Sequence, residues 1–158
     1  MRLSASYFSS PVGLLLIEAD DKAITSLSFQ EIKEKQVHSS SIIEECTRQL
    51  EEYFSGKRKS FDVPLAPAGT SFQQGVWNQL QKIPFGKTVS YLQLARELGD
   101  EKKIRAAGSA NGRNPIAIII PCHRVIGSDG SLVGYGGGLW KKKWLLEFES
   151  GNKQSELF

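Results

Sequence analysis

The feature that most constrains the fold is an aliphatic run at residues 116–120, Ile-Ala-Ile-Ile-Ile, which ends at Pro121. The run is far too short to span a bilayer, which takes about 20 apolar residues, so it must be buried within the protein. Its length and branched side chains predict a buried β-strand. Proline ends a strand and favours a turn, and we therefore expect Cys122 to lie exposed at the edge of a sheet, beside His123 and Arg124.

Charge is distributed unevenly along the 158 residues. Residues 1–69 contain 8 Lys and Arg and 10 Asp and Glu, a net charge of −2, whereas residues 70–158 contain 12 and 7, a net charge of +5. A basic half suggests an anionic partner such as nucleic acid, although a basic surface also keeps a protein in solution. The N-terminus has no apolar signal segment, and two cysteines make no disulfide framework, so we expect a cytoplasmic protein with free thiols.

The first half of the sequence predicts a small domain of strands and one helix. Residues 13–29 indicate two strands on either side of a turn at residues 20–22. A polar loop follows, and then a helix over residues 41–56, in which Ser41 and Glu44 form a capping box. The buried face of this helix has an apolar residue at every fourth position: Ile42, Cys46, Leu50 and Phe54. We therefore interpret Cys46 as a core residue with no chemical role.

The second half predicts mostly helices. A stretch with basic residues and two prolines ends near Gly69, where we place a boundary between domains 1–69 and 70–158. Thr70 or Ser71 caps the next helix. Two further helices follow it, and the last helix covers residues close to the C-terminus, before a polar tail that we expect to fray.

Two short helices joined by a tight turn at Gly99 match the helix-turn-helix pattern. Ser90 and Asp100 are the expected caps of the first and second of these helices. After Arg105 the second helix carries only small side chains over residues 106–110. Such a bare surface either packs tightly against the domain core or enters a nucleic-acid groove, with Arg105 as the one long side chain.

A Cys-His pair serves several kinds of site. Zinc needs about four ligands, and the other thiol and imidazole, Cys46 and His38, lie in a core helix and a loop, so we expect no metal. An acyl-transfer enzyme is an alternative, with Asn114 as the orienting residue. A free thiol is mostly protonated at neutral pH, so a reactive Cys122 needs a base, which His123 can supply directly or through a water.

Five segments resemble, in order, the methylated-DNA–protein-cysteine methyltransferases, or O6-alkylguanine-DNA alkyltransferases: VSYLQLA, ANGRNP, IIIPCHRVIG, GYGGG and KKKWLLEFE. The resemblance covers residues 72–149, and the motifs of residues 1–69 are weaker. It implies an α+β fold, with a small N-terminal domain of sheet and helix. The C-terminal domain is then mostly helical and contains a winged helix-turn-helix-like motif for binding DNA.

The resemblance implies direct DNA repair by a single-turnover suicide protein. The alkyl group of O6-alkylguanine moves irreversibly onto Cys122, and O4-methylthymine is an open second substrate. The implied partner is double-stranded DNA that contains O6-alkylguanine. No cofactor, metal or membrane is implied, and we expect a monomer that can cluster on DNA.

The resemblance also assigns catalytic roles. Cys122 is the nucleophile, His123 accepts the thiol proton through a water, and Glu149 holds the imidazole. Asn114 binds the loop that contains Cys122. Tyr91 donates a proton or hydrogen bond to the purine as guanine leaves.

The alkylated oxygen faces the inside of the duplex, so the base must be flipped out. By resemblance Arg105 fills the gap, and Tyr91 and Ser128 contact the phosphate backbone. The substrate pocket is bordered by four residues: Val125, Tyr135, Gly136 and Ala117. The Gly136 N–H is expected near guanine O6, and the carbonyls of Cys122 and Val125 near its exocyclic amine. Gly136 and Ala117 stand where some relatives have Ser and Pro, which predicts a roomier pocket.

Three other functions stay open at this stage. A damage-binding protein would keep the DNA-binding parts but lack the cysteine, and Cys122 argues against it. A transcriptional regulator would use the helix-turn-helix alone. A thiol hydrolase would use the Cys-His pair for acyl transfer.

Overall fold

In the computed structural model of the chain, which describes residues 2–151, the N-terminal sequence forms a three-stranded antiparallel sheet. Strands β1 (Ser4–Ser10), β2 (Gly13–Ala19) and β3 (Ile24–Gln30) lie in sequence order. The Asp20 carboxylate closes the turn between β2 and β3 by accepting the N–H groups of Lys22 and Ala23, at 2.7 and 2.8 Å. These two strands and their turn confirm the prediction, whereas the serine-rich β1 was not predicted.

Helix α1 (Ser41–Phe54) packs on this sheet. The predicted cap was off by one residue, because it is the Ser40 hydroxyl that accepts the N–H of Ile43, at 3.3 Å. The buried face also differs from the predicted one and follows the 3.6-residue helical period: Ile43, Cys46, Gln49, Leu50 and Tyr53. Cys46 is buried as predicted, and burial raises the pKa of its thiol to about 12.

The aliphatic run does not form the predicted strand. Leu27 of β3 donates to the carbonyl of Pro115 and accepts the N–H of Ala117, both at 2.9 Å, which makes one isolated bridge. The chain then turns, because Ile118 has φ 72° and the N–H of Ile119 bonds the carbonyl of Ala117 at 2.7 Å. A β-branched residue in the left-handed region is strained, and a strand cannot continue through it.

The chain divides into two compact units. One comprises the chain up to Ala68 together with Pro115–Ile119, and the other comprises Gly69–Asn114 and the chain from Ile120 onward. The expected domain of residues 70–158 differs from the second unit at Gly69, which belongs to that unit, and in the segment Pro115–Ile119, which does not. That segment groups with the first unit because its backbone bonds are made to β3.

The second unit is mostly helical, as predicted. Its α-helices are α2 (Ser71–Leu80), α3 (Tyr91–Glu97), α4 (Ile104–Gly112) and α5 (Leu139–Ser150). Its described residues also form two 3₁₀ turns, Glu101–Lys103 and Cys122–Arg124, and two short parallel strands, β4 (Val89–Ser90) and β5 (Val125–Ile126). Within residues 2–151, no helix combines the length and the apolar character needed to cross a membrane. The predicted fraying of the tail concerns residues that lie largely outside this range.

Local signals position the helices that carry the site. Thr70 forms a capping box at the start of α2, and the predicted caps Ser90 and Asp100 both accept backbone N–H groups. Trp77 of α2 is buried, and its indole N–H donates to the carbonyl of Ala110 in α4 at 2.9 Å. The small residues of α4 lie in two environments: Ala107 and Ala110 are buried in the core, and Ala106 and Ser109 are exposed.

Ser40→Ala is expected to lower the free energy of unfolding by about 1 kcal/mol, because the N–H of Ile43 loses its acceptor at the start of α1. Ser41→Ala, one residue away and exposed, is the matched control and is expected to change it by less than about 0.5 kcal/mol. Urea denaturation followed by circular dichroism measures both. A larger loss of unfolding free energy in Ser41→Ala than in Ser40→Ala would contradict a cap at Ser40 and support Ser41, the residue predicted from the sequence.

Candidate active site

Cys122 opens the 3₁₀ turn Cys122–Arg124, directly after Pro121. Its N–H donates to the carbonyl of Ile120 at 2.8 Å, and the N–H of Arg124 donates to the carbonyl of Pro121 at 3.0 Å. Only 8% of Cys122 is exposed, so the prediction of an exposed thiol is wrong. Pro121 does start a turn, but the turn winds inward and buries all three residues that follow.

Two amide side chains hold this turn. Asn114 donates to the carbonyl of Ile120 at 2.7 Å, and Asn111 donates to the carbonyl of Cys122 at 3.3 Å. Burial raises the pKa of the Cys122 thiol, while a hydrogen bond from Asn114 and the charge of Lys142 act in the opposite direction. The resting thiol is therefore protonated at neutral pH and needs a proton acceptor before it can react.

A buried carboxylate, that of Glu149 in α5, pairs with both residues that follow Cys122. His123 Nε2 lies 2.9 Å from Glu149 Oε2. Arg124 donates from Nε to Oε1 at 2.7 Å and from Nη2 to Oε2 at 2.9 Å, and its Nη1 donates to the carbonyl of Ile83 at 2.7 Å. Burial alone would raise the pKa of Glu149, but the hydrogen bonds from His123 and Arg124 outweigh it and lower that pKa to about 2.

These contacts fix the protonation state of the imidazole. Burial lowers the pKa of His123, although the hydrogen bond to Glu149 opposes the shift, so the ring is neutral at neutral pH. An ionised Glu149 can only accept, so the ring proton lies on Nε2 and Nδ1 keeps its lone pair. Nδ1 is buried and has no hydrogen-bond partner among residues 2–151. Its lone pair can therefore accept a proton.

An open groove of about 540 Å³ lies in the same unit. Its lining comes from α3, α4 and the loop at residues 133–136: Tyr91, Ile104, Arg105, Gly108, Asn111, Gly112, Val133, Gly134, Tyr135 and Gly136. Four predicted site residues are thus brought together, with Arg105 exposed on α4. A Cβ placed on Gly136 has no described atom within 4 Å, so this wall leaves room beside it.

A buried lysine joins the two sides of the groove. Lys142 is fully buried, and its Nζ donates to the carbonyl of Val133 at 2.9 Å and to the Tyr91 hydroxyl at 3.4 Å. The Tyr91 hydroxyl in turn donates to the carbonyl of Val133 at 3.1 Å. Burial lowers the pKa of Lys142, and the nearby Cys122 opposes that shift. No sequence pattern indicates this role, because Lys142 stands between two other lysines and resembles a solvated surface charge.

Seven predicted residues lie outside the groove lining in the part of the chain that the structure describes. Four of them form the Cys122 turn and its contacts: Cys122, His123, Asn114 and Glu149. The other three lie elsewhere. Val125 is fully buried in β5, where it pairs with Val89. Ser128 is exposed in a tight turn closed by the N–H of Gly127 and the carbonyl of Ser131. Ala117 belongs to the first unit. The sequence analysis assigned no role to three residues that the structure places at the site: Asn111, Arg124 and Lys142.

No cluster of three potential metal ligands occurs within residues 2–151.

Known proteins match both halves of the chain. The family described as 6-O-methylguanine DNA methyltransferase matches with its ribonuclease-like domain at residues 3–67 and with its DNA binding domain at residues 71–151. The methylated-DNA–protein-cysteine methyltransferase of Methanosarcina acetivorans is 47% identical over 148 residues, which is 90% of this chain and 95% of that protein. Its counterpart from Haemophilus influenzae is 40% identical over 153 residues, 91% of this chain and 84% of that protein.

Solved structures give the same result. The Mycobacterium tuberculosis O6-methylguanine methyltransferase is 38% identical and superimposes with a TM-score of 0.86 over 99% of each chain. A Mycobacterium tuberculosis OGT in complex with DNA is 41% identical, with a TM-score of 0.86 over 96% of this chain and 94% of that chain.

Glu149→Gln is expected to remove a pH-dependent part of the stability. The pKa of Glu149 is about 2 in the folded protein against an ordinary 4.5. A depressed pKa adds stability above pH 4.5 that is lost as the pH falls through about 2, and here it amounts to about 3 kcal/mol. The difference in unfolding free energy between the protein and the variant should therefore be large at pH 7 and should narrow below pH 4.5.

Urea denaturation at pH 7, 4 and 2.5 measures this difference. Glu147→Gln, on the same helix with its carboxylate 4.0 Å from Lys143 Nζ, is the control and should show a small difference at every pH. A Glu149→Gln difference that does not change with pH would contradict the ionised, buried carboxylate.

Proposed function

The chain belongs to the 6-O-methylguanine DNA methyltransferase family, and we propose that Cys122 is the residue that takes the alkyl group from O6-alkylguanine in DNA. The activity is that of a methylated-DNA–protein-cysteine methyltransferase, and DNA is its partner. The single observation that carries the assignment of Cys122 is its place in the turn Cys122–Arg124. There an imidazole follows the thiol, its Nδ1 has no hydrogen-bond partner among the described residues, and a buried carboxylate orients it.

The reaction is an in-line displacement at the alkyl carbon. The Cys122 thiolate forms the S–C bond as the C–O6 bond breaks, and the electron pair of that bond leaves with guanine. The thiol proton goes to His123, and Tyr91 supplies a proton or hydrogen bond to the departing purine. No oxyanion forms on carbon, so no oxyanion hole is needed. The product thioether has no good leaving group, so each chain acts once.

The contacts of Glu149 support the proton transfer. Its carboxylate holds the Nε2–H tautomer of His123, which leaves Nδ1 to accept the thiol proton through a water. The negative charge also stabilises the imidazolium that forms. Arg124, with two bonds to the same carboxylate, keeps Glu149 ionised and fixed in place. Asn114 restrains the turn from the side of Ile120.

Flipping of the base is the step that involves the groove. The exposed Arg105 fills the space that the base leaves in the duplex, and the small side chains of α4 let its backbone approach the DNA closely. Tyr91 and the exposed Ser128 contact the phosphate backbone. The net charge of +5 in residues 70–158 supports this binding.

The room beside Gly136 supports acceptance of alkyl groups larger than methyl in DNA. Whether O4-methylthymine is also a substrate depends on how the base is recognised. We further propose that the protein acts as a monomer, which can cluster on DNA, because the Cys122 turn and its partners come from one unit of one chain. A cytoplasmic location suits a thiol that must stay reduced until it is used.

Mass spectrometry after incubation with excess duplex containing O6-methylguanine tests the function. One methyl group is expected on Cys122, with the reaction ending at one equivalent per chain. Cys46→Ser should react like the unmodified protein, and Cys122→Ser should gain nothing. Binding without transfer would indicate a damage-binding protein, and continued turnover would indicate a hydrolytic enzyme.

Arg105→Ala is expected to slow methyl transfer from duplex DNA by about tenfold, because opening the stack costs a few kcal/mol that the arginine helps to offset. In single-stranded DNA, where there is no gap to fill, the rate should change little. Single-turnover kinetics on both substrates measures this. Arg113→Ala, which removes an exposed charge at the end of the same helix, is the control. Equal losses in both substrates would mean that Arg105 only neutralises phosphate.

A further inference from the structure

Asn111, in the last turn of α4, is a buried polar residue whose amide nitrogen holds the Cys122 turn and whose amide oxygen has no role in the mechanism above. It lines the groove, although only 4% of the residue is exposed. Its Nδ2 donates to the carbonyl of Cys122 at 3.3 Å. Its Oδ1 is buried and has no hydrogen-bond partner among residues 2–151.

The orientation of this amide is determined by its neighbour. Exchanging the nitrogen and oxygen of Asn111 would set Oδ1 against the carbonyl of Cys122, which places two acceptors together. The oxygen must therefore remain on the side away from Cys122. Native proteins rarely leave such a buried oxygen without a donor, because its desolvation is costly. A ligand that brings a donor into the groove would satisfy it.

The chemistry of the alkylated base limits which donor this is. Alkylation at O6 removes the proton from N1 of guanine, so the exocyclic amine is the only N–H donor left on the Watson–Crick edge. O4-alkylated thymine has no N–H group on that edge. An acceptor in the groove therefore separates the two bases by hydrogen bonding, which discriminates more sharply than shape.

We propose that Asn111 is a specificity-determining residue whose Oδ1 accepts a hydrogen bond from the exocyclic amine of the alkylated guanine. The proposal rests on the proposed function. The exocyclic amine has two N–H groups, so Oδ1 accepts one of them and one remains for the main-chain carbonyls expected at Cys122 and Val125. Because the same amide bonds the carbonyl of Cys122, one rigid group connects the edge of the base to the backbone of the nucleophile.

A pair of substrates that differ in one group tests the proposal. One duplex carries O6-methylguanine, and the other carries O6-methylhypoxanthine, which lacks only the exocyclic amine. We expect the unmodified protein to prefer the guanine duplex in single-turnover kinetics. Asn111→Leu, of similar size but without an acceptor, should lose about tenfold of that preference. Relative to O6-methylguanine, it should also gain activity on O4-methylthymine.

The comparison of ratios separates recognition from structure. If leucine merely disturbs the Cys122 turn, both substrates slow equally and the preference is retained, which would overturn the proposal. Asn78→Leu, the same change at an exposed asparagine of α2, should keep both the rates and the preference. Differences in base pairing between the two duplexes cancel, because every variant meets the same pair.

Two further results keep the proposal open to refutation. If Asn111→Leu does not fold, Asn111→Ala takes its place, and a preference in that variant equal to that of the unmodified protein would overturn the proposal. If no methyl group reaches Cys122 from the guanine duplex, the proposed function itself fails. Normal transfer with an unchanged preference in the variant refutes only the role of Asn111.

Discussion

The carboxylate of Glu149 is the group on which the arrangement around Cys122 depends. It connects α5 to the turn Cys122–Arg124 through two side chains, and Arg124 extends the connection to the carbonyl of Ile83. A buried charge is tolerated only when its bonds are complete and well aligned, because removing it from water is costly. The turn, the end of α5 and the chain after α2 therefore have one satisfactory mutual arrangement. Cys122 is the first residue of that turn, so the position of its thiol is fixed as well.

Much of the fold could be predicted because its signals are local. Short patterns in the sequence predict strands β2 and β3. They also predict the helix caps at Thr70, Ser90 and Asp100 and the helices that begin there. The errors arose where burial was taken as evidence of conformation. The run at residues 116–120 is buried, but the left-handed backbone of Ile118 makes it a turn. Strand β1, SASYFSS, is rich in serine and lacks the sustained alternation of apolar and polar residues that predicts a strand.

The candidate site could be predicted only in part. The resemblance brought Cys122, His123 and Glu149 to one place although 26 residues separate the last two, which no local pattern could do. It gave no role to Lys142 or Asn111. The burial of one lysine in a row of three depends on the rotation of α5 relative to the loop at residues 133–136, and that rotation is a property of the packed structure.

The burial of Cys122 has a consequence for how long the protein stays usable. A chain that can react once loses its whole capacity to any side reaction, such as oxidation to a sulfenic acid or capture by a small electrophile. Oxidants and electrophiles attack the thiolate, and they do so where it is accessible. A protonated thiol that is 8% exposed presents neither the charge nor the surface that they need. The inward turn after Pro121 thus protects the Cys122 thiol from side reactions until DNA brings an alkyl group to it.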